Sequence, residues 1–198
     1  MATHLNQALI QNAADLLGAD EVHLLLDGLK ERAPQLVAAL APLPQTALVA
    51  VLKGLLSEGI HLREFRRIAA AISIAAQRSA DPVEIIELIR PELGSLIIAK
   101  LAGVREPLRV MTLEGGLEQL LGQAARQDPG RHVIEPELGR RIVDALQAAA
   151  QPLIAEAKPF ALVVQPAIRV AIRKIVRTVL PDTPVMSFFE VPEDKAVE

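Results

Sequence analysis

The chain has no cysteine, no tryptophan and no tyrosine, and only four phenylalanines. Without cysteine there is no disulfide and no thiol chemistry, and the composition suits a reducing compartment. An aromatic share of 2% argues against the base-stacking surfaces on which single-stranded nucleic-acid modules depend. A run long enough to span a bilayer, about 18 apolar residues, is also missing. The longest apolar stretch, Ile68 to Ala76, carries Ser73 and is flanked by Arg66, Arg67 and Arg78, which suits a buried helix. The opening MATHLNQALIQN has neither the basic nor the apolar region of a signal peptide. Neither sign of charge prevails. With 21 basic and 24 acidic residues the net charge is -3, which drives no general grip on phosphate backbones.

What is present is aliphatic. Hydrophobic residues make up 51% of 198, mostly Ala, Leu, Ile and Val, enough for a core of packed helices. Residues 4–17 read as a helix with Leu5, Leu9, Ala13, Leu16 and Leu17 on one stripe, closed by Gly18. Asp20 is the expected cap of a helix over about 21–32 with Val22, Leu25, Leu26 and Leu29 inward. After Pro34 a short helical turn carries Leu36, Val37 and Leu40. Helices over about 45–58 and 62–77 follow, the first ended by Gly59, the second with Phe65, Ile68, Ile72 and Ala76 on one face. Asp81-Pro82-Val83-Glu84 is a helix start: a capping carboxylate, a proline at the first position and a capping-box glutamate. The helix it opens should reach about Leu101, with Pro91 kinking or splitting it.

The pattern changes near Gly103. Leu108, Val110 and Leu113 alternate with Arg109 and Thr112 as in a short strand. A helix over about 114–127, a Pro129-Gly130 turn and a helix over about 136–150 come next. Phe160–Val164 reads as a strand, Gln165-Pro166 starts a helix to about Val179, and Val185–Phe189 reads as a last strand. Strand, helix and strand joined by tight turns imply a parallel pair with a right-handed crossover. The tail from Pro192 is polar and is expected to fray. The fold class is therefore mostly α: an all-helical subdomain over 1–103, then a small α/β subdomain over 104–198 with a sheet of about three strands.

Catalytic chemistry is absent from this pattern. His4, His23, His61 and His132 have no helical metal-pair spacing and no cysteine to assist them. Gly115-Gly116 lacks the further glycines of a phosphate loop and reads as a tight strand-to-helix turn. The five serines, Ser57, Ser73, Ser79, Ser95 and Ser187, lie in no nucleophile-elbow motif. No enzyme activity, metal or cofactor is expected. Two charged groups remain. Arg169, Arg173 and Arg177 recur every four residues beside Lys174, while Ile168, Ile172, Ile175 and Val179 face inward. They read as a solvated face whose cations suit a helix C-terminus, or as a contact for acidic protein or nucleic acid. Arg63, Glu64, Arg66 and Arg67, with Glu58 nearby, form a mixed cluster able to make intersubunit ion pairs or to serve as ordinary helix surface.

The order of short motifs carries a resemblance. Thr3-His4-Leu5-Asn6 leads to Ala14-Asp15-Leu16-Leu17-Gly18, then Pro34 in ERAPQLV and Val51-Leu52-Lys53-Gly54-Leu55-Leu56-Ser57-Glu58-Gly59. Leu62-Arg63-Glu64-Phe65-Arg66-Arg67-Ile68, Asp81-Pro82, Ile89-Arg90 and Leu117-Glu118-Gln119-Leu120-Leu121 follow. The series closes on Pro166-Ala167-Ile168-Arg169 and Leu180-Pro181-Asp182-Thr183-Pro184-Val185-Met186-Ser187. In that order, over nearly the whole chain, the sequence resembles the C-terminal cytoplasmic region of the FHIPEP family, the export-gate proteins of flagella and injectisomes. Three places depart from the family pattern: Pro91 replaces a helix-friendly residue, Phe188-Phe189-Glu190 a more polar or tyrosine-containing segment, and Glu64 takes the place of an aspartate.

The resemblance implies a cytoplasmic segment of a bacterial inner-membrane protein. It corresponds to the end of the first, then the third and fourth, of four cytoplasmic subdomains. It implies self-assembly into a nonameric ring in the full-length family, chiefly through the third subdomain, with Arg63, Arg66 and Arg67 pairing neighbouring copies. It further implies other export-apparatus partners, including the ATPase stalk and chaperone–substrate complexes, no nucleic acid and no direct membrane contact by this segment. Ala2-Thr3-His4-Leu5-Asn6, Asp81-Pro82 and Ile134-Glu135-Pro136-Glu137-Leu138 lean flagellar, Met186-Ser187-Phe188-Phe189-Glu190 leans to injectisomes, and the balance favours flagella.

Overall fold

The computed structural model describes residues 13–103, 105–127 and 134–198. Its chain divides into two compact units, Met1–Leu96 and Ile97–Glu198.

The described part of the first unit is helical. Its elements are α1 (Ala13–Leu16), α2 (Ala19–Lys30), α3 (Pro34–Leu40), α4 (Gln45–Ser57), a 3-10 turn at Leu62–Glu64, α5 (Phe65–Ala75) and α6 (Pro82–Ile98). Most of the expected first helix and its Leu5 and Leu9 lie outside the described residues. Of the two leucines expected on the buried stripe, Leu17 is buried and Leu16 points to solvent. α2 is not capped by Asp20. It starts earlier, at Ala19, with Gly18 as the cap, whose amide donates to Glu21 Oε2 at 2.7 Å. The core stacks Val22 of α2, Val51, Leu52 and Leu55 of α4, Ile68, Ala69 and Ile72 of α5, and Ile85, Ile89 and Leu93 of α6.

α4 ends in a Schellman motif. Gly59 takes φ 76°, its amide donates to Leu56 O at 2.8 Å, and the Ile60 amide to Leu55 O at 2.9 Å. The α6 start differs in one detail from its sequence pattern. Asp81 Oδ1 accepts the Val83 amide at 2.7 Å, but Glu84 reaches the Ser79 hydroxyl at 2.6 Å, and that hydroxyl takes the Asp81 amide at 3.0 Å. Ser79 thus relays the capping box. Pro91 does not split α6, which runs unbroken through it; the proline stands on the exposed face.

The second unit is a three-stranded parallel sheet with helices between the strands. β1 (Val110–Thr112) is followed by α7 (Gly115–Gln127) and α8 (Pro136–Ala155), then β2 (Ala161–Val164), α9 (Pro166–Val179), β3 (Val185–Ser187) and a 3-10 turn at Phe188–Glu190. The strand order is β1-β2-β3, with Met111 opposite Leu162 and Leu162 opposite Val185. Leu121, Ile142, Leu146, Ile168, Ile172 and Val176 from the three helices pack with Leu162, Val164 and Val185. The expected Pro129-Gly130 turn lies outside the described residues.

Three expectations need correction here. α8 continues past 150 to Ala155, through an exposed Pro152, and stops in a second Schellman motif at Ala157, φ 52°. β3 ends at Ser187 rather than Phe189, because Glu190 Oε1 accepts the Ser187 amide at 2.9 Å and turns the chain. The tail, expected to fray, is paired to the chain before β1. Leu108 N donates to Ala196 O at 2.8 Å, Glu198 N to Leu108 O at 2.9 Å and Val110 N to Glu198 O at 2.9 Å.

Candidate functional site

The Arg63–Arg67 cluster sits where the 3-10 turn enters α5. Phe65 and Ile68 are buried, so Arg63, Glu64, Arg66 and Arg67 are turned out, and all four are exposed. Arg67 Nη1 lies 3.6 Å from Glu64 Oε2, and Arg67 Nη2 donates to the Glu92 carbonyl of α6. Arg67 is therefore engaged within its own chain. Arg63 and Arg66 have no ion-pair partner among the described residues, so both cations remain available to another molecule. Glu58 does not belong to this surface. Its Oε2 meets Arg90 Nη1 at 2.6 Å, with Arg90 only 2% exposed and Glu58 17%.

The α9 stripe is not one surface. Arg177 and Lys174 are exposed and Arg173 is half-buried, but Arg169 is 1% exposed and donates Nη1 to Val185 O at 3.3 Å. The physical reason is helical phase. Arg169 lies three residues before Ile172 and seven before Val176, on the stripe that packs against the sheet. A cation at an apolar register position was the signal that the stripe reading overlooked. Glu190, 2% exposed, was also missed; it accepts the Ser187 amide and hydroxyl at 2.9 and 3.0 Å. Arg169 thus meets the first residue of β3 and Glu190 the last.

The Gly116 and Leu117 amides, at 3.0 and 2.9 Å, hold the Glu114 carboxyl below the ordinary range, as expected where a carboxylate caps α7. Lys158, hydrogen-bonded at 2.5 Å, lowers Glu156. Both carboxylates serve local structure. Among the described residues no three His, Cys, Asp or Glu side chains converge as metal ligands. His23 pairs with Asp27 at 3.5 Å on the surface, and His4 and His132 lie outside the described residues. No single described helix is long and apolar enough to cross a membrane; α3 and α4 together have the hydropathy but bend by 103°.

The FHIPEP family profile matches residues 1–196. The flagellar biosynthesis protein FlhA of Proteus mirabilis is 32% identical over 200 residues, covering all of this chain and 28% of its own length. The invasion protein InvA of Salmonella typhimurium is 27% identical, over 96% of this chain and 28% of its own length. The chain thus spans little more than a quarter of these relatives. Two solved structures share the fold. One is the CdsV protein of Chlamydia pneumoniae in complex with CdsO, at TM-score 0.88 and 23% identity, covering 99% of this chain and 58% of that one. The other is a nonameric SctV-C from EPEC, at TM-score 0.84 and 23% identity, covering 98% and 59%. A match over all but the last two residues, to an ordered series of motifs already visible in the sequence, places this chain in the FHIPEP family.

Proposed function

We propose that this chain is a cytoplasmic portion of a type III secretion export gate, a non-enzymatic module for ring assembly and protein export. Its setting is the flagellum, a reading supported by flagellar relatives of 27% to 32% identity beside InvA at 27%. In this reading the helical unit, corresponding to the family's third subdomain, makes ring contacts, and the parent protein is anchored in the bacterial inner membrane. Partners beyond self are export-apparatus proteins such as the ATPase stalk, which the solved pairing of CdsV with CdsO supports, and chaperone–substrate complexes. The nonameric state of SctV-C supports the ring.

The observation that carries the reading is the FHIPEP match together with the exposed Arg63 and Arg66 on the α5 start. Cations without an ion-pair partner among the described residues give a complementary acidic surface on a neighbouring copy something to hold. Reversing both, Arg63→Glu with Arg66→Glu, in the complete cytoplasmic part should raise the apparent dissociation constant of the assembly by at least about tenfold. Light scattering across a concentration series reads this. Unchanged assembly would remove these two residues from the interface.

A further inference from the structure

The segment 196–198 runs parallel to the stretch 108–110 that enters β1, forming an isolated bridge with Val197 opposite Leu108. Three main-chain hydrogen bonds, at 2.8 to 2.9 Å, join it to Leu108 and Val110. Arg109 Nε meets Glu198 Oε1 at 2.6 Å, and Lys195 Nζ donates to Gly103 O at 2.7 Å. The two sides of this pairing are unequal. Leu108 is completely buried and belongs to the body of the unit. Ala196, Val197 and Glu198 are all exposed, and Val197, the larger of the two apolar side chains among them, keeps 54% of its surface in water. No side chain of the segment is buried, so main-chain bonds, the Lys195 hydrogen bond and a half-exposed ion pair hold it. Each amide bond gains little over its hydration, and ordering the residues opposes that gain. A strand edge held this way is a fixed template under a weakly attached cover.

We propose that the outer edge of β1 is a strand-accepting docking site and that residues 195–198 are its displaceable cover. Its partner is an extended peptide that places an apolar residue opposite Leu108 and a carboxylate directly after it. The own-chain occupant defines that chemistry: Leu108 N, Leu108 O and Val110 N supply sequence-independent main-chain bonds. Arg109 supplies the preference for an acidic residue at one register position, since its side chain is what meets Glu198. A partner segment gains affinity over the cover wherever it adds side-chain burial that residues 195–198 lack.

Hydrogen exchange on the intact chain comes first. The Leu108 and Val110 amides, bonded to the cover, should exchange at least about tenfold faster than those of Ala161 and Leu162 inside the sheet. Equal protection would overturn the proposal. The second step removes residues 195–198 and adds a peptide of sequence EDKAVE in trans. The peptide should bind the shortened chain, restore protection at Leu108 and Val110, and bind the intact chain more weakly. Arg109→Glu should weaken this binding by up to about fivefold, the ceiling for an exposed ion pair. Absence of binding to a folded shortened chain overturns the proposal. Should that chain not fold, Glu198→Lys in the intact chain decides. It should speed exchange at Val110 while Ala161 is unchanged, and no change there counts against the proposal. Protection at Leu108 that grows with protein concentration would assign the edge to a second copy's tail and also overturn the peptide reading.

Discussion

Glu58 closes α4 and Arg90 lies within α6, thirty-two positions on, yet their charged atoms meet at 2.6 Å. Arg90 is placed by its stripe: Ile86 and Leu93, four before and three after, are both buried. Arg169 shares that logic with Ile172 and Val176. Both arginines interrupt apolar periodicities that are plain in the sequence, so their burial was readable; their partners, Glu58 and the Val185 carbonyl, were not, because contact across the fold is not a periodic property. Nearness in sequence pulled Glu58 toward Arg63 instead. Taking one member of a buried pair away strands the other charge, whereas replacing both by apolar residues relieves two desolvation costs. Glu58→Ala should therefore destabilise by about 3 kcal/mol in urea unfolding, and Glu58→Leu with Arg90→Met should lose less than that. A double variant that loses the sum of the two singles would show that the pair is not coupled.

Elements were readable where start and stop signals are local. α9 begins at Pro166 and ends at Val179 as its sequence indicates, and β2 follows from its apolar run. The misjudged ends depended on something outside the local window: Glu190 ending β3, β1 capturing the tail, and Pro152 tolerated on an exposed face of α8. The two Schellman ends make the point in one comparison. At α4 the left-handed position is Gly59, a visible stop. At α8 the same pattern, Ala157 N to Ile154 O at 2.9 Å and Lys158 N to Leu153 O at 3.2 Å, is built on Ala157, and no glycine announces it. An alanine in the left-handed region crowds its Cβ against the backbone, at a cost of about 1–2 kcal/mol. Gly59→Ala should lower stability by about that amount, and Ala157→Gly should raise it by up to about 1 kcal/mol after the greater unfolded-state freedom of glycine is subtracted. Paired urea melts check both signs, and a stabilising Gly59→Ala would refute the motif assignment at α4.

For the whole molecule, the division into helical and α/β character and the family membership were legible because both rest on the order of many weak signals. Charge is the property that acts at this scale. The basic face of α9 offered a contact for nucleic acid as an alternative to the export-gate reading, and it depended on three arginines acting together. The fold withdraws Arg169 into the interior and half-covers Arg173, which leaves Lys174 and Arg177 exposed on that helix. Two cations release few counterions from a phosphate backbone, and a net charge of -3 repels the rest of the duplex. Titration of the chain against duplex DNA at about 0.15 M salt should show no binding tighter than about 0.1 mM, the weak end of non-specific association. Arg177→Ala should leave that result unchanged. Tighter binding that falls steeply with added salt and is lost in Arg177→Ala would return α9 to the list of nucleic-acid surfaces. A flat titration leaves α9 without a nucleic-acid role and keeps the search for a partner of Arg63 and Arg66 on acidic protein surfaces.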